Sequence, residues 1–256
     1  MPTSRRFSVP LLAILFVAVT ALLLVAVCLL GGSPLGRERG VTYAHADAPA
    51  VEGTPPITVV VIDPGHGGED GGASSASGVV EKNVNLSVAF ALRDLFEAAG
   101  MPVVMTRTED ILLYDREVNY LGRKKALDLA ARQLIAERVA EEAAAGGGTS
   151  LFISIHMNAF PAPQYSGMQV WYGVGDPLSR EVAEGIQASS LTLMPNNHRR
   201  IKAAGSNIYL LDRIRTPAVL VECGFLSNPE EAERLATEAY QYALAAVVFA
   251  GVVGER

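Results

Sequence analysis

From residue 57 to about residue 251 short apolar runs alternate with longer segments whose apolar positions recur every three or four residues, and this restricts the chain to a layered α/β fold. The runs at 57–63, 102–107, 150–156, 168–172, 206–211 and 217–223 read as strands. Several are unbroken stretches of Val, Ile and Leu, the composition of strands covered on both faces. Between and after them lie four helical patterns. In 82–99 the spacing Val84, Val88, Leu92, Leu95, Ala99 makes one apolar stripe, and Gly100 supplies the stop. A second helix over 123–145 ends at the Gly146-Gly147-Gly148 run, and a weaker one spans 177–193. The last is announced by Asn228 as N-cap, Pro229 in the first turn and Glu230-Glu231 facing the helix dipole, and is expected to run to about 251. The expected architecture is a three-layer sandwich: a mixed, mostly parallel sheet of about six strands, flanked by helices.

The N-terminal residues follow another rule. From Val9 to Leu30 there is no charge, and from Pro10 onward the run is apolar apart from Thr20. About 20 such residues cross a bilayer as a helix. Arg5 and Arg6 precede the run, so the positive-inside bias leaves the N-terminus in the cytoplasm and exports the remainder. The rival is a cleaved signal segment, for which Ala44-His45-Ala46 offers a small-x-small site, though it stands far beyond the apolar run. The organisation read from this is a membrane anchor or signal segment at 1–32, a linker at 33–56 and a single domain at 57–256. Localisation is then the cell envelope, with the domain outside the cytoplasm, or secreted if the segment is cleaved.

Charge excludes one class of partner. The whole chain carries a formal −6; without the first 32 residues the 21 basic residues fall to 19 against 27 acids, a formal −8. Nucleic-acid binding needs a basic face, which this balance does not supply. The two cysteines, Cys28 in the apolar run and Cys223 in a later strand, make no disulfide framework.

Four residues stand where chemistry is done. His66 follows the first strand in Asp63-Pro64-Gly65-His66-Gly67-Gly68, and His156 ends another in Ser154-Ile155-His156-Met157-Asn158. Open α/β sheets place ligands at the carboxyl ends of strands. Glu81 opens the first amphipathic helix, where an acid also has the plain role of facing the helix dipole. Glu222 interrupts the apolar strand Val219-Leu220-Val221-Glu222-Cys223, a costly position for an unpaired acid. Two imidazoles and one carboxylate hold Zn²⁺ with a fourth position open, and the second carboxylate is then free for proton transfer. Pattern alone reaches an exported zinc hydrolase and does not say which glutamate does which. His45 falls in the linker. His198, in His198-Arg199-Arg200, reads as a loop residue meeting anionic peptide or glycan. Arg107 reads equally as an ion-pair residue or a substrate contact.

These motifs resemble those of the zinc-dependent N-acetylmuramoyl-L-alanine amidases (amidase type 3), over about 57–251. The resemblance implies His66, Glu81 and His156 as zinc ligands and Glu222 as the catalytic carboxylate. It places Asn158 beside the site, with Thr106-Arg107 also fitting the pattern and Arg107 a candidate substrate contact. Cys223 departs from the pattern without consequence for mechanism. The implied reaction is metal-assisted hydrolysis of the bond between the muramic lactyl group and L-alanine, with peptidoglycan as substrate. Asn158-Ala159-Phe160-Pro161, Ser166-Gly167-Met168-Gln169 and the bare N-terminal run are most similar to the germination-specific branch, which implies a part in forming muramic δ-lactam in spore cortex. The stretch from Asn158 to Glu222 is too short for the inhibitory helix of division amidases, and an activator protein is a possible partner. A catalytically silent peptidoglycan-binding protein and a zinc peptidase acting on the stem peptide are the alternatives.

Overall fold

The computed structural model describes residues 55–254 apart from 116 and 118–120. The anchor expected at 1–32 and nearly all of the linker lie outside the described residues. Among those described, no single helix is long and apolar enough to cross a membrane.

The elements in chain order are β1 (Ile57–Pro64), α1 (Glu81–Ala98), β2 (Val103–Met105), α2 (Lys124–Ala145), β3 (Thr149–Asn158), β4 (Gln169–Tyr172), α3 (Leu178–Ser189), β5 (Lys202–Ala203), α4 (Tyr209–Arg213), β6 (Ala218–Phe225), α5 (Pro229–Leu235) and α6 (Glu238–Val253). The strands form one sheet in the order β2-β1-β3-β6-β4-β5. β1, β2, β3 and β6 run parallel, and β4 is antiparallel to β6. The expected mixed six-stranded α/β sheet is present.

Alternation along the strands divides the core in two. Val60 and Ile62 of β1, Leu151, Ile153 and Ile155 of β3, and Val219 and Val221 of β6 pack with the apolar stripes of α1, α3 and α6. Val61, Phe152 and Ala218, one residue out of phase, pack on the other face against Ala136 and Val139 of α2 and Leu210 and Leu211 of α4.

Two expectations need correction. The run 206–211 is no strand: it is a turn leading into α4, and the outermost strand is instead the two-residue β5. An apolar run this short fits a buried helical turn as well as a strand, and Leu210 and Leu211 are buried in the second core. The final helix is two helices. Asn228 caps α5 by accepting from the Glu231 N–H, as expected, but Thr237 caps a new start by accepting from the Tyr240 N–H. The two helices meet at 89°.

Candidate active site

The sheet face toward α2 changes character along its strands. Its apolar residues Val61, Phe152 and Leu220 are followed, two positions on, by Asp63, Ser154 and Glu222. Register lines these up: Asp63 sits beside Ser154, and Glu222 lies between His156 of β3 and Gln169 of β4. The polar groups thus gather at the carboxyl ends of the parallel strands, where such sheets bind ligands. A cavity of ≈ 380 Å³ opens there, its wall including His66, His156, Asn158, Trp171, Tyr209 and Glu222.

His66 is carried by the turn that leaves β1, at φ 62, in the left-handed region that a non-glycine residue adopts only where its surroundings impose it. Two buried arginines impose it. Arg132 of α2, 1 % exposed, pairs with Asp63 at 2.6 Å and Asp128 at 2.8 Å, and donates to the carbonyls of Pro64 (2.8 Å) and His66 (2.7 Å). Arg107 donates to the carbonyls of Pro64 (2.9 Å), Gly65 (3.0 Å), Lys82 (2.9 Å) and Glu109 (3.0 Å). Asp63 also accepts from Thr106 and Ser154, both at 2.7 Å. Burial pushes the Asp63 carboxyl up, but the Arg132 charge and these bonds together hold it below the usual carboxylate range. Two glycines make room for the site. A Cβ on Gly65 would fall on the His156 ring, and one on Gly72, at φ 67, would fall on the Glu81 carboxylate.

Glu81, the first residue of α1, is buried and turns Oε1 toward both imidazoles: His66 Nε2 lies 3.2 Å away and His156 Nδ1 2.9 Å away. Its other oxygen accepts from the Ala73 N–H at 2.7 Å. Burial opposes the charge on Glu81, yet the bonds from His156 and His66 outweigh it and keep the carboxyl far below its ordinary value. His66 Nδ1 points the other way, 2.9 Å from Asp70 Oδ2, a close ion-pair contact that lacks hydrogen-bond alignment. That contact favours the tautomer whose Nε2 is free to bind a metal, the usual arrangement for a ligand histidine backed by a carboxylate.

The three donor atoms lie within 4.8 Å of one another. The two short separations approximate the edge of a tetrahedron whose centre-to-ligand distance is about 2 Å, the dimension of a zinc site. A pair of imidazoles with one carboxylate is also the donor set zinc takes in hydrolases. The residues present fit zinc.

Glu222 stands beside this cluster. Its side chain is only partly exposed, and Oε2 is fully enclosed with no hydrogen-bond partner. Burial pushes its carboxyl up to about 7; the charge of Glu81 adds to the rise, and those of His156 and His66 oppose it. A carboxyl poised there exchanges protons in both directions near neutrality.

His66, Glu81 and His156 are therefore brought together, with Glu222 and Asn158 on the same cavity wall. Arg107 is different. At 2 % exposure, with its donors directed to four backbone carbonyls, it shapes the His66 turn, and meeting a substrate would require breaking those bonds. His198 is exposed and is not among the residues of the cavity wall. His45 lies outside the described residues. Sequence reasoning passed over Asp70 and Arg132. Arg132 had a signal: Asp128, Arg132, Ala136, Val139 and Ala143 form one buried helical stripe, so an ion pair occupies positions where apolar residues belong.

Comparison with known proteins identifies the family. The family model for N-acetylmuramoyl-L-alanine amidase matches residues 60–253. The germination-specific N-acetylmuramoyl-L-alanine amidase of Bacillus subtilis is 38% identical over 196 residues, which is 76% of this chain and 78% of that protein. The solved structure of the CwlD amidase from Clostridioides difficile, in complex with the GerS lipoprotein, superposes with a TM-score of 0.68 at 34% identity, covering 76% of this chain and 96% of that one. The amidase AmiC2 of Nostoc punctiforme gives 0.61 at 30% identity over 78% and 97% of the two chains. With the fold and the match across 60–253 in agreement, this chain belongs to the zinc-dependent N-acetylmuramoyl-L-alanine amidases.

Proposed function

We propose that His66, Glu81 and His156 hold the zinc ion and that Glu222 transfers the proton as the bond between the muramic lactyl carbonyl and the L-alanine nitrogen is hydrolysed. The observation that carries the reading is the enclosed Glu222 carboxyl, near 7, on the cavity wall beside the three-donor cluster. Zinc bound there supplies a Lewis acid that polarises the amide carbonyl and lowers the pKa of water. Glu222 takes the proton of the attacking water and returns it to the departing alanine nitrogen, leaving a free amine on the peptide and a carboxylate on the sugar. Asp70 orients the His66 ring. Asn158, on the wall, offers an amide that can hydrogen-bond the substrate. Arg107 serves the site by shaping the turn.

The finer reading is a role in spore-cortex maturation through muramic δ-lactam formation, supported by the germination-specific relative at 38% identity. An activator protein is part of it, since the C. difficile amidase was solved with a lipoprotein bound. The uncharged run from Val9 to Leu30 serves as the membrane anchor, with the domain outside the cytoplasm.

The test is zinc content and product analysis of the purified chain on peptidoglycan, with and without chelator. Peptides beginning at a free L-alanine amine, lost on chelation and restored by zinc, are expected. Cleavage within the stem peptide would replace the amidase assignment with a peptidase, and absence of bound zinc would overturn the ligand set. For the cortex role, constitutive transcription in an organism that does not sporulate would overturn it.

A further inference from the structure

The segment between β3 and β4 leaves the cavity wall at Asn158 and displays two aromatic rings it does not bury. Phe160 is 51 % and Tyr165 42 % exposed, and their rings meet edge to face at 5.0 Å. Exposed rings on a loop are usually free to move, but these sit on a braced support. The Phe160 N–H donates to Ser227 Oγ (3.0 Å), Asn228 Nδ2 to the Tyr165 carbonyl (3.3 Å), and the Gly167 N–H to the buried Glu231 carboxylate (2.9 Å). Arg199 donates to the Ser166 carbonyl at 2.8 Å and lays its guanidinium over the Phe225 ring at 4.2 Å and the Tyr165 ring at 5.8 Å. Pro161 and Pro163 stiffen the segment between the rings. The order is therefore already present, and a ligand meets rings it does not have to organise.

We propose that Phe160 and Tyr165 form a stacking platform for the glycan strand, binding a sugar next to the muramic residue whose amide is cut; this rests on the amidase reading of the cavity. Two observations and one chemical argument select a sugar. The segment 159–167 contains no charged residue of its own, and Arg199, the cation over Tyr165, is already engaged by the Ser166 carbonyl, the Gln169 amide oxygen and the Phe225 ring, so the rings themselves are the binding surface. The faces of hexose rings carry weakly positive C–H groups, complementary to the negative face of an aromatic ring. Phe160 follows Asn158 of the cavity wall by two residues, at most about 7 Å of chain, so the platform's backbone lies within reach of a sugar adjoining one held at the wall.

The experiment uses the full-length chain carrying Glu222→Gln, so that glycan binding is read without turnover, and a peptide-free tetrasaccharide of the glycan strand as probe. Phe160→Ala/Tyr165→Ala is expected to weaken its binding about tenfold or more. Leu134→Ala, which removes a side chain 65 % exposed on α2, should leave it unchanged. With Glu222 restored, the ratio of kcat/KM for oligosaccharide over single-muramoyl substrates should fall toward one in the ring variant. No binding of the tetrasaccharide by the parent, or equal binding by parent and ring variant at unchanged melting temperature, would overturn the platform. Loss of response to an added protein partner with glycan binding intact would assign the rings to protein docking and also overturn it. If ring-dependent glycan binding is found but no L-alanine peptides are released, it is the amidase reading that fails and the platform that stands.

Discussion

Replacing Arg132 by Met tests what holds the His66 turn. The side chain is 1 % exposed and carries the only positive charge that ion-pairs with Asp63 among the described residues. Met fills much of the same space, so the change isolates charge and hydrogen bonding from cavity formation. Removing one partner of a buried ion pair costs about 3–5 kcal/mol, and the Pro64 and His66 carbonyls each lose a donor worth about 1 kcal/mol. A total of about 5–7 kcal/mol is a large part of the roughly 5–15 kcal/mol that stabilises a domain. At about 2–4 °C per kcal/mol for a domain of this size, the melting temperature should fall by about 10–28 °C. The assay is thermal unfolding by circular dichroism in chelator, so that metal linkage does not enter. Its pH dependence sharpens the test. In the parent, Asp63 is held below its unfolded value near 4; its contribution is present above that pH and is lost as pH falls through the depressed folded value. In the variant, burial is no longer opposed by the arginine charge, so the folded value rises above the unfolded one. The penalty is then greatest near neutrality and is relieved as pH falls through the raised value. The gap between parent and variant must narrow from pH 7 toward pH 4. A fall in melting temperature under about 3 °C, or a gap that widens on acidification, would refute the account.

Three further outcomes follow from the site. Glu222→Gln should lower kcat by about 10²–10⁴, with zinc stoichiometry by atomic absorption unchanged; a near-parental rate would remove Glu222 from proton transfer. Asp70→Asn should weaken zinc about 10–100-fold in a chelator competition while leaving the melting temperature of the metal-free protein within about 2 °C, and unchanged affinity would show that the 2.9 Å contact does not orient His66. Gly65→Ala should displace the His156 ring and abolish stoichiometric zinc binding although the protein still folds; full zinc occupancy would show that the ring has room to move.

The fold was legible wherever a face had to be buried. The continuous Val, Ile and Leu runs of β1, β3 and β6 and the stripe of α1 leave little choice, and Glu222 stands out because it interrupts such a run, whereas His66 and Glu81 stand at element ends and drew notice only together with it. What escaped was structure held by backbone geometry and not by apolar burial. β5 is a two-residue edge strand, both residues exposed, recruited by pairing with β4, and so carries no hydrophobic signal. The break before α6 rests on one threonine cap inside a sequence whose composition favours helix throughout. The partners of Asp63 were hidden because Thr106, Ser154 and Arg132 come from three separate elements, and only the register of β1 with β3 and the packing of α2 bring them together.

The carbonyl oxygens of Pro64, Gly65 and His66 all face the two arginines. The backbone of this turn is therefore latched from below, by residues that no metal touches, and its first imidazole owes its place to α2 and the end of β2. Folding and metal loading become separable events. A protein built this way can reach its final shape before it encounters zinc, and can lose and regain the ion without rebuilding the turn that receives it.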